Sequence, residues 1–244
     1  MVNKDYEWLS WNPVTGCTKI STGCLNCYAE RLANYVQKVA PEGKYRNGFK
    51  LTLHPEYLDV PLKYKNPKVF FVNSMSDLFH KDVPFDFILK VFNRMERAYW
   101  HSYRILTKRP ERMRYLINNI YKKLLPNLWI GTSIESNKYL YRLEELKQTN
   151  AKIRFVNFAP LIGSIGQVNL EGISWVFIGG ERSFKNKPRQ MKVEWIAEIV
   201  EQCKRYNVPS YLSSGHSKLS EETIEDIYEE YPSKEPQKNI LEFT

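Results

Sequence analysis

Seven short apolar runs recur along this 244-residue chain, and each stops abruptly on small, polar or charged residues. They are Glu7–Trp11, Val69–Val72, Tyr103–Leu106, Leu128–Ile130, Ile153–Val156, Trp175–Ile178 and Val208–Leu212. Runs this short, rich in β-branched and aromatic residues and apolar on both alternate faces, read as strands buried in a parallel sheet. Between them the apolar period changes to that of a helix. The predicted faces are Tyr28, Leu32, Tyr35, Val36 and Val39; Ile88, Val91, Phe92, Met95 and Tyr99; Met113, Leu116, Ile117 and Ile120; Leu140, Leu143 and Leu146; and Val193, Ile196, Ile199, Val200 and Cys203. Seven β-then-α units predict an α/β fold: a partial or complete parallel (β/α) barrel, TIM-barrel-like, with about seven strands. A doubly wound open sheet is the alternative. Residues 41–68 read as an irregular excursion, Glu221–Tyr231 as a polar last helix and 232–244 as a tail. Length and pattern together predict one domain over residues 1–231.

In parallel α/β folds ligands gather beyond the carboxyl ends of the strands. Here those ends are Asn73-Ser74-Met75-Ser76-Asp77, Thr107-Lys108-Arg109-Pro110, Gly131-Thr132-Ser133-Ile134-Glu135, Asn157-Phe158-Ala159-Pro160, Gly179-Gly180-Glu181-Arg182 and Ser213-Ser214-Gly215-His216. Each carries a plain reading beside a functional one. Ser74 and Ser76 either cap the next turn or meet a ligand. Lys108 and Arg109 are either a solvated pair or the partner of a carboxylate or phosphate. Glu135 either caps and pairs locally or serves the site. Gly179 and Gly180 let backbone approach a ligand closely. Cys203 fits a helix core.

The first strand leads into the most specific stretch of the chain, Trp11 to Glu30, which holds three of the four cysteines at spacing C-x6-C-x2-C. Gathered thiolates bind soft metals or iron–sulfur clusters. Cys17, Cys24 and Cys27 are therefore the candidate metal ligands. Three cysteines on a [4Fe-4S] cluster leave one iron open to a cofactor. A closed zinc site needs a fourth ligand, and Cys203, His54, His80, His101 and His216 are the candidates for it. An odd number of loop cysteines argues against disulfides.

No run of 18 apolar residues exists, and the N-terminus lacks a signal-peptide apolar region, so no membrane span and a cytoplasmic, reducing location are expected. The net charge of +9 permits a nucleic-acid or nucleotide partner without requiring one.

With these motifs in view, the chain resembles a phage- and prokaryote-associated family of unknown function. Its members carry a W-N-P-V-T-G-C-T-K-x-S-x-G-C-x-N-C-Y-A-E signature, here Trp11 to Glu30. They also share N-S-M-S-D-L-F (Asn73 to Phe79), L-T-K-R-P (Leu106 to Pro110), G-x-S-x-E (Gly131 to Glu135) and G-G-E (Gly179 to Glu181). The family looks like a divergent branch of the radical S-adenosylmethionine (SAM) enzymes, whose usual spacing is C-x3-C-x2-C. The resemblance implies a [4Fe-4S] cluster on Cys17, Cys24 and Cys27, with SAM as second cofactor, an external electron donor and an unassigned substrate. It implies cofactor or substrate contacts from Tyr28, Asn73, Ser74, Ser76, Asp77, Lys108, Arg109, Ser133, Glu135, Gly179, Gly180 and Glu181. Two places depart from the family pattern: Ala159 stands where an acidic residue is usual, and Ser213-Ser214-Gly215-His216 where a K-Q-W-G-like segment is usual. The rival reading is a non-enzymatic nucleic-acid-binding protein with a structural metal.

Overall fold

The runs of β-branched and aromatic residues all become strands of one sheet. The computed structural model describes residues 7–123, 125–182 and 187–213. Its main strands are β1 (Trp8–Trp11), β4 (Val69–Val72), β5 (Ser102–Thr107), β6 (Leu128–Ser133), β7 (Ile153–Phe158), β8 (Trp175–Ile178) and β9 (Ser210–Leu212), with β2 (Val14–Thr15) and β3 (Thr52–Leu53) making a separate antiparallel ribbon. The seven-stranded sheet has the order β1-β4-β5-β6-β7-β8-β9, and every neighbouring pair is parallel. Strands enter it in chain order, which is the barrel pattern and not the doubly wound one. The sheet curls into a half-barrel, with β1 and β9 as its two edges.

Helices cover the outside. In α2 (Phe85–Arg97), Phe87, Ile88, Val91, Phe92 and Met95 are buried; Tyr99 lies past its end and is exposed. The helix expected from Pro110 is α3 (Pro110–Tyr115), continued by a π-helical turn over Leu116–Tyr121. The stretch around 137–147 splits into a 3-10 turn, Asn137–Tyr139, and α4 (Tyr141–Lys147). In α5 (Val193–Arg205), Ile196, Ile199, Val200 and Cys203 are buried. These side chains and the strands form one core, with Phe70, Tyr103, Ile130, Phe158 and Ile178 at its centre.

Three expectations are corrected. First, β7 and β8 are not joined by a helix. Residues 159–174 are irregular, yet Leu161, Ile165, Val168, Leu170 and Ile173 are buried. Pro160, Gly163, Gly166 and Gly172 interrupt the helical period, and the loop seals the sheet with side chains alone. Second, the excursion over 41–68 is partly regular: β3 pairs with β2, and 3-10 turns follow at Pro55–Tyr57 and Pro61–Lys63. Third, the helix α1 (Tyr28–Val39) turns its small side to the protein. Ala29 and Ala33 are buried against Met75, whereas Tyr28, Leu32, Tyr35 and Val39 are exposed. Periodicity reveals that a helix has an apolar face; it does not say what covers that face. Glu221–Tyr231 and 232–244 lie outside the described residues. Among the described residues no helix is long and apolar enough to cross a membrane.

Candidate metal and cofactor site

The cysteine loop sits across the carboxyl mouth of the half-barrel because almost every strand end ties down part of it. At its start, Asn12 Oδ1 accepts from the backbone N–H of Met75, 3.1 Å away, beyond β4. Gly16 has φ +78°, and a Cβ there would lie 2.3 Å from the carbonyl oxygen of Lys50. Only glycine lets the loop pass so close to the 41–68 excursion. The backbone N–H of Cys17 then donates to the carbonyl of Phe49.

Thr18 is held by Arg109, whose Nη2 donates to the Thr18 carbonyl and hydroxyl, and by His80 Nε2 at 2.7 Å. Ser21 donates to the carboxylate of Glu135. The backbone N–H of Thr22 donates to Tyr139 Oη at 3.0 Å. Asn26 donates to Glu181 Oε2 at 2.9 Å, and Arg189 bridges Glu181 to the Thr22 carbonyl. Cys27 then caps α1, whose first turn offers a positive dipole end to that thiol.

The carboxylates at the strand ends are thus loop tethers. Glu135 is fully buried; it accepts from Ser21 and from buried Arg142, and Lys108 Nζ lies 3.6 Å away. It lines neither cavity of the site. Asp77 accepts from Thr107 Oγ1, the backbone N–H groups of Phe79 and Lys108, and Arg109 Nη1. This clamps the β5 end onto the β4 end. Arg189 and Asn26 hold Glu181 and, despite its burial, keep its carboxyl below the usual range. Gly179 lines neither cavity: a Cβ there would meet Ser213 Oγ at 2.3 Å, so its smallness lets the β8 and β9 ends close together.

Two connected cavities lie under the loop. The first, about 160 Å³, is lined by Cys17, Cys24 and Cys27 together with Tyr28, Asn73, Ser74, Ser76, Asp77, Lys108, Arg109 and Ser133. The second, about 300 Å³, shares Cys24, Cys27, Tyr28, Lys108 and Ser133, and adds Asn157, Ala159, Gly180, Glu181, Arg182 and Ser213. Both departures from the family pattern that fall within the described residues, Ala159 and Ser213, border this second cavity; His216 lies outside the described residues. Among the described residues no three His, Cys, Asp or Glu side chains are grouped as ligands of a single metal ion.

Asn73 is the most telling group in the first cavity. It is 3% exposed and has φ +62°. Its Nδ2 donates to Ser76 Oγ at 2.7 Å, and Ser76 donates onward to the carbonyl of Val14. That relay fixes which end of the amide is nitrogen. Asn73 Oδ1 is left buried with no partner among the described residues. A buried acceptor without a donor is costly, and it marks where a ligand donor belongs.

The thiols differ. Burial pushes the Cys17 thiol up, assisted by Asp77 and opposed by Arg109, to about 11. Burial also acts on Cys24, but backbone and hydroxyl hydrogen bonds at Ile20 and Ser21 and the charge of Lys108 bring its thiol below the ordinary value. Reading the sequence alone misses Asn12, Ser21, Asn26, Tyr139, Arg142 and Arg189, which position the loop from far along the chain. Only the first three lie near the signature cysteines.

Among solved structures, a spore photoproduct lyase variant is similar to this chain at 11% identity and TM-score 0.51, over 86% of this chain and 80% of that one. A spore photoproduct lyase complexed with dinucleoside spore photoproduct gives 13% identity and TM-score 0.44, over 84% of this chain and 65% of that one. Another variant, with bound AdoMet and dinucleoside spore photoproduct, gives 12% identity and TM-score 0.49, over 86% and 80%. The chain thus spans less than two thirds of the length of the lyase complexed with dinucleoside spore photoproduct. The likeness shows a shared half-barrel fold. No curated protein matches the sequence. Residues 3–228 match the family described as "Protein of unknown function (DUF5131)", and the chain belongs to that family.

Proposed function

We propose that this chain is a radical SAM-type enzyme, holding a [4Fe-4S] cluster on Cys17, Cys24 and Cys27. The observation that carries the reading is a juxtaposition. Three thiols and one unpartnered buried acceptor, Asn73 Oδ1, line the same cavity at the carboxyl mouth of a parallel half-barrel. The donor set is soft and suits iron–sulfur chemistry. Three thiols at C-x6-C-x2-C spacing on the wall of one cavity suit a cluster, where each sulfur meets a different iron. Sulfurs on one zinc ion crowd to roughly 3.8 Å of each other.

The protein supports such a cofactor pair in four ways. The tethers from Glu135, Tyr139, Glu181 and Arg109 hold the loop in place before any metal binds. Asn73 Oδ1 accepts a hydrogen bond from an amino or hydroxyl group of the cofactor. Lys108, on the wall shared by the two cavities, offers a cation to its carboxylate. Tyr28, anchored by its hydroxyl to the carbonyl of Ser74, forms a flat wall between the cavities. The second cavity, with Asn157, Gly180, Arg182 and Ser213, is then the space for substrate. When bound, a [4Fe-4S] cluster with SAM supplies one-electron cleavage of a carbon–sulfur bond and, from it, a carbon radical. The electron comes from an external donor.

The zinc reading has weaker support. Among the described candidates for a fourth ligand, His54 pairs with Thr15 and Glu56, His101 with the Pro61 carbonyl and the Lys68 N–H, and Cys203 is buried in the core. His80 is engaged by Thr18 and the Asp82 N–H.

The test is anaerobic reconstitution with iron and sulfide. About four irons per chain, lost in Cys24→Ala, are expected, together with 5′-deoxyadenosine from SAM under a strong reductant. One tightly held zinc per chain, with no iron uptake and no SAM cleavage, sinks the proposal.

A further inference from the structure

The outer wall of the cysteine loop is exposed and apolar. Leu25, between two of the candidate ligands, is 59% exposed, and Tyr28, Leu32, Tyr35 and Val39 carry the same surface along the outward face of α1. Positions 28, 32, 35 and 39 fall on one side of a helix. Tyr28 lines both cavities, so the patch starts at the wall of the site itself. Together these side chains present on the order of 500 Å², and contiguous apolar surface of that size marks a contact face.

One flank of the patch is basic. At about 3.6 residues per turn, Arg31 and Lys38 lie next to each other beside the apolar stripe. Further round the helix, Gln37 Nε2 donates to the carbonyl of Arg46 at 2.8 Å, which fastens the turn carrying Lys44, Arg46 and Lys50 to the same flank. Residues 17–50 hold six Lys and Arg against two Glu and no Asp, a net +4 out of the chain's +9. One of those two acids, Glu30, is already paired with Lys19 at 2.8 Å. The chain's fourth cysteine, Cys203, is 2% exposed in the core and has no other cysteine near it in sequence, so the thiols make one metal site and no relay to a second. An electron for that site has to enter from outside, and this face is the solvent-exposed surface joined directly to the ligand loop.

We propose that the face formed by Leu25, Tyr28, Leu32 and Tyr35, with its flank of Arg31 and Lys38, is the docking surface for an acidic one-electron carrier protein. The proposal rests on the iron–sulfur reading above. Size, composition and charge each favour this occupant. Electron-transfer encounters are small, below about 1,200 Å² for both partners together, and this patch fits that; a stable pair of two copies needs roughly 800 Å² from each. Tyrosines and leucines inside a charged margin give the apolar centre and polar rim of a protein contact. The net positive flank steers an acidic partner and fixes its orientation. The step moves one electron: the reduced carrier is oxidised, the metal centre is reduced, and no bond forms or breaks at the surface.

Isothermal titration of oxidised flavodoxin, an acidic one-electron flavoprotein, into the reconstituted full chain at low salt tests this. Binding should weaken at least tenfold in Leu32→Asp/Tyr35→Asp. It should weaken with added salt in the wild type, and less steeply in Lys38→Glu. Residues 32, 35 and 38 line neither cavity, so iron content and urea midpoint should match the wild type in both variants. With dithionite, a small reductant that needs no docking face, all three proteins should cleave SAM at the same rate. With sub-saturating reduced flavodoxin, the double variant should be at least tenfold slower. A wild type that cleaves SAM with dithionite but binds no flavodoxin, a double variant that binds it as tightly as the wild type, or a two-chain particle that the double variant dissociates overturns the docking face alone. A wild type that takes up no iron overturns the cluster reading and the docking face with it.

Discussion

Arg109 Nη1 lies 3.6 Å from Cys17 Sγ. The same nitrogen donates to Asp77 Oδ2 at 2.9 Å, and Nη2 holds the carbonyl and hydroxyl of Thr18. A cation is therefore fixed beside the first sulfur by a carboxylate that is itself clamped to β5. This arrangement joins the β4 and β5 ends to the loop and presents an N–H donor to a candidate ligand.

Hydrogen bonds to ligand sulfurs raise the potential of an iron–sulfur centre by stabilising its more negative, reduced form. A charge-assisted hydrogen bond is worth about 1.5 kcal/mol, which for one electron is roughly 60 mV. In reconstituted protein, Arg109→Gln should therefore shift the midpoint potential downward by tens of millivolts. Redox titration followed by electron paramagnetic resonance reads this directly. An unchanged potential with full iron content would show that the contact does not reach the cluster.

Glu135 and Arg142 form a fully buried ion pair at 2.9 Å. Removing one member leaves the other charge buried and unpaired, at a cost of about 3–5 kcal/mol. Glu135→Ala should lower the urea midpoint accordingly and also free Ser21. Iron uptake should then fall even at temperatures where the chain stays folded. A variant of wild-type stability contradicts the tether.

The glycines separate by what a methyl group would meet. At Gly16 a Cβ collides with backbone, the Lys50 carbonyl, and φ is positive; at Gly23 it collides with Glu135, which Arg142 holds in place. At Gly179 the near atom is the hydroxyl of Ser213, the tip of a small side chain. Gly16→Ala should cost more than about 2 kcal/mol and reduce metal uptake. Gly23→Ala should mainly reduce uptake, and Gly179→Ala should be mildest in both. Denaturant midpoints and iron content for the three variants check the order.

Burial pushes the Cys203 thiol up to about 12 from an ordinary value of 9.0. The folded chain thus holds that proton more tightly than the unfolded one. Stability from this group is complete below about pH 9 and declines as pH rises toward 12. Urea midpoints of metal-free protein should fall across that window, and Cys203→Ala should flatten the decline. A midpoint that rises with pH contradicts the sign.

The half-barrel was legible because its cause is local. Val69–Val72, Leu128–Ile130 and the other apolar runs alternate with helical periods, and that alternation admits few architectures. The cysteine loop was legible for the same reason, since its thiols and glycines are neighbours in sequence. What each strand-end residue touches was not. Glu135, Asp77 and Glu181 look alike in sequence, as acids after strands, yet their partners, Ser21, Arg109 and Arg189, lie 114, 32 and 8 positions away. Which acids tether the loop, and why Asn73 keeps a bare acceptor facing the cavity, depend on chain closure in three dimensions. The outward stripe of α1 is the same lesson in packing. Tyr28, Leu32, Tyr35 and Val39 announce a face through their spacing, but tertiary structure chose Ala29 and Ala33 to meet Met75, because small side chains allow the closest approach.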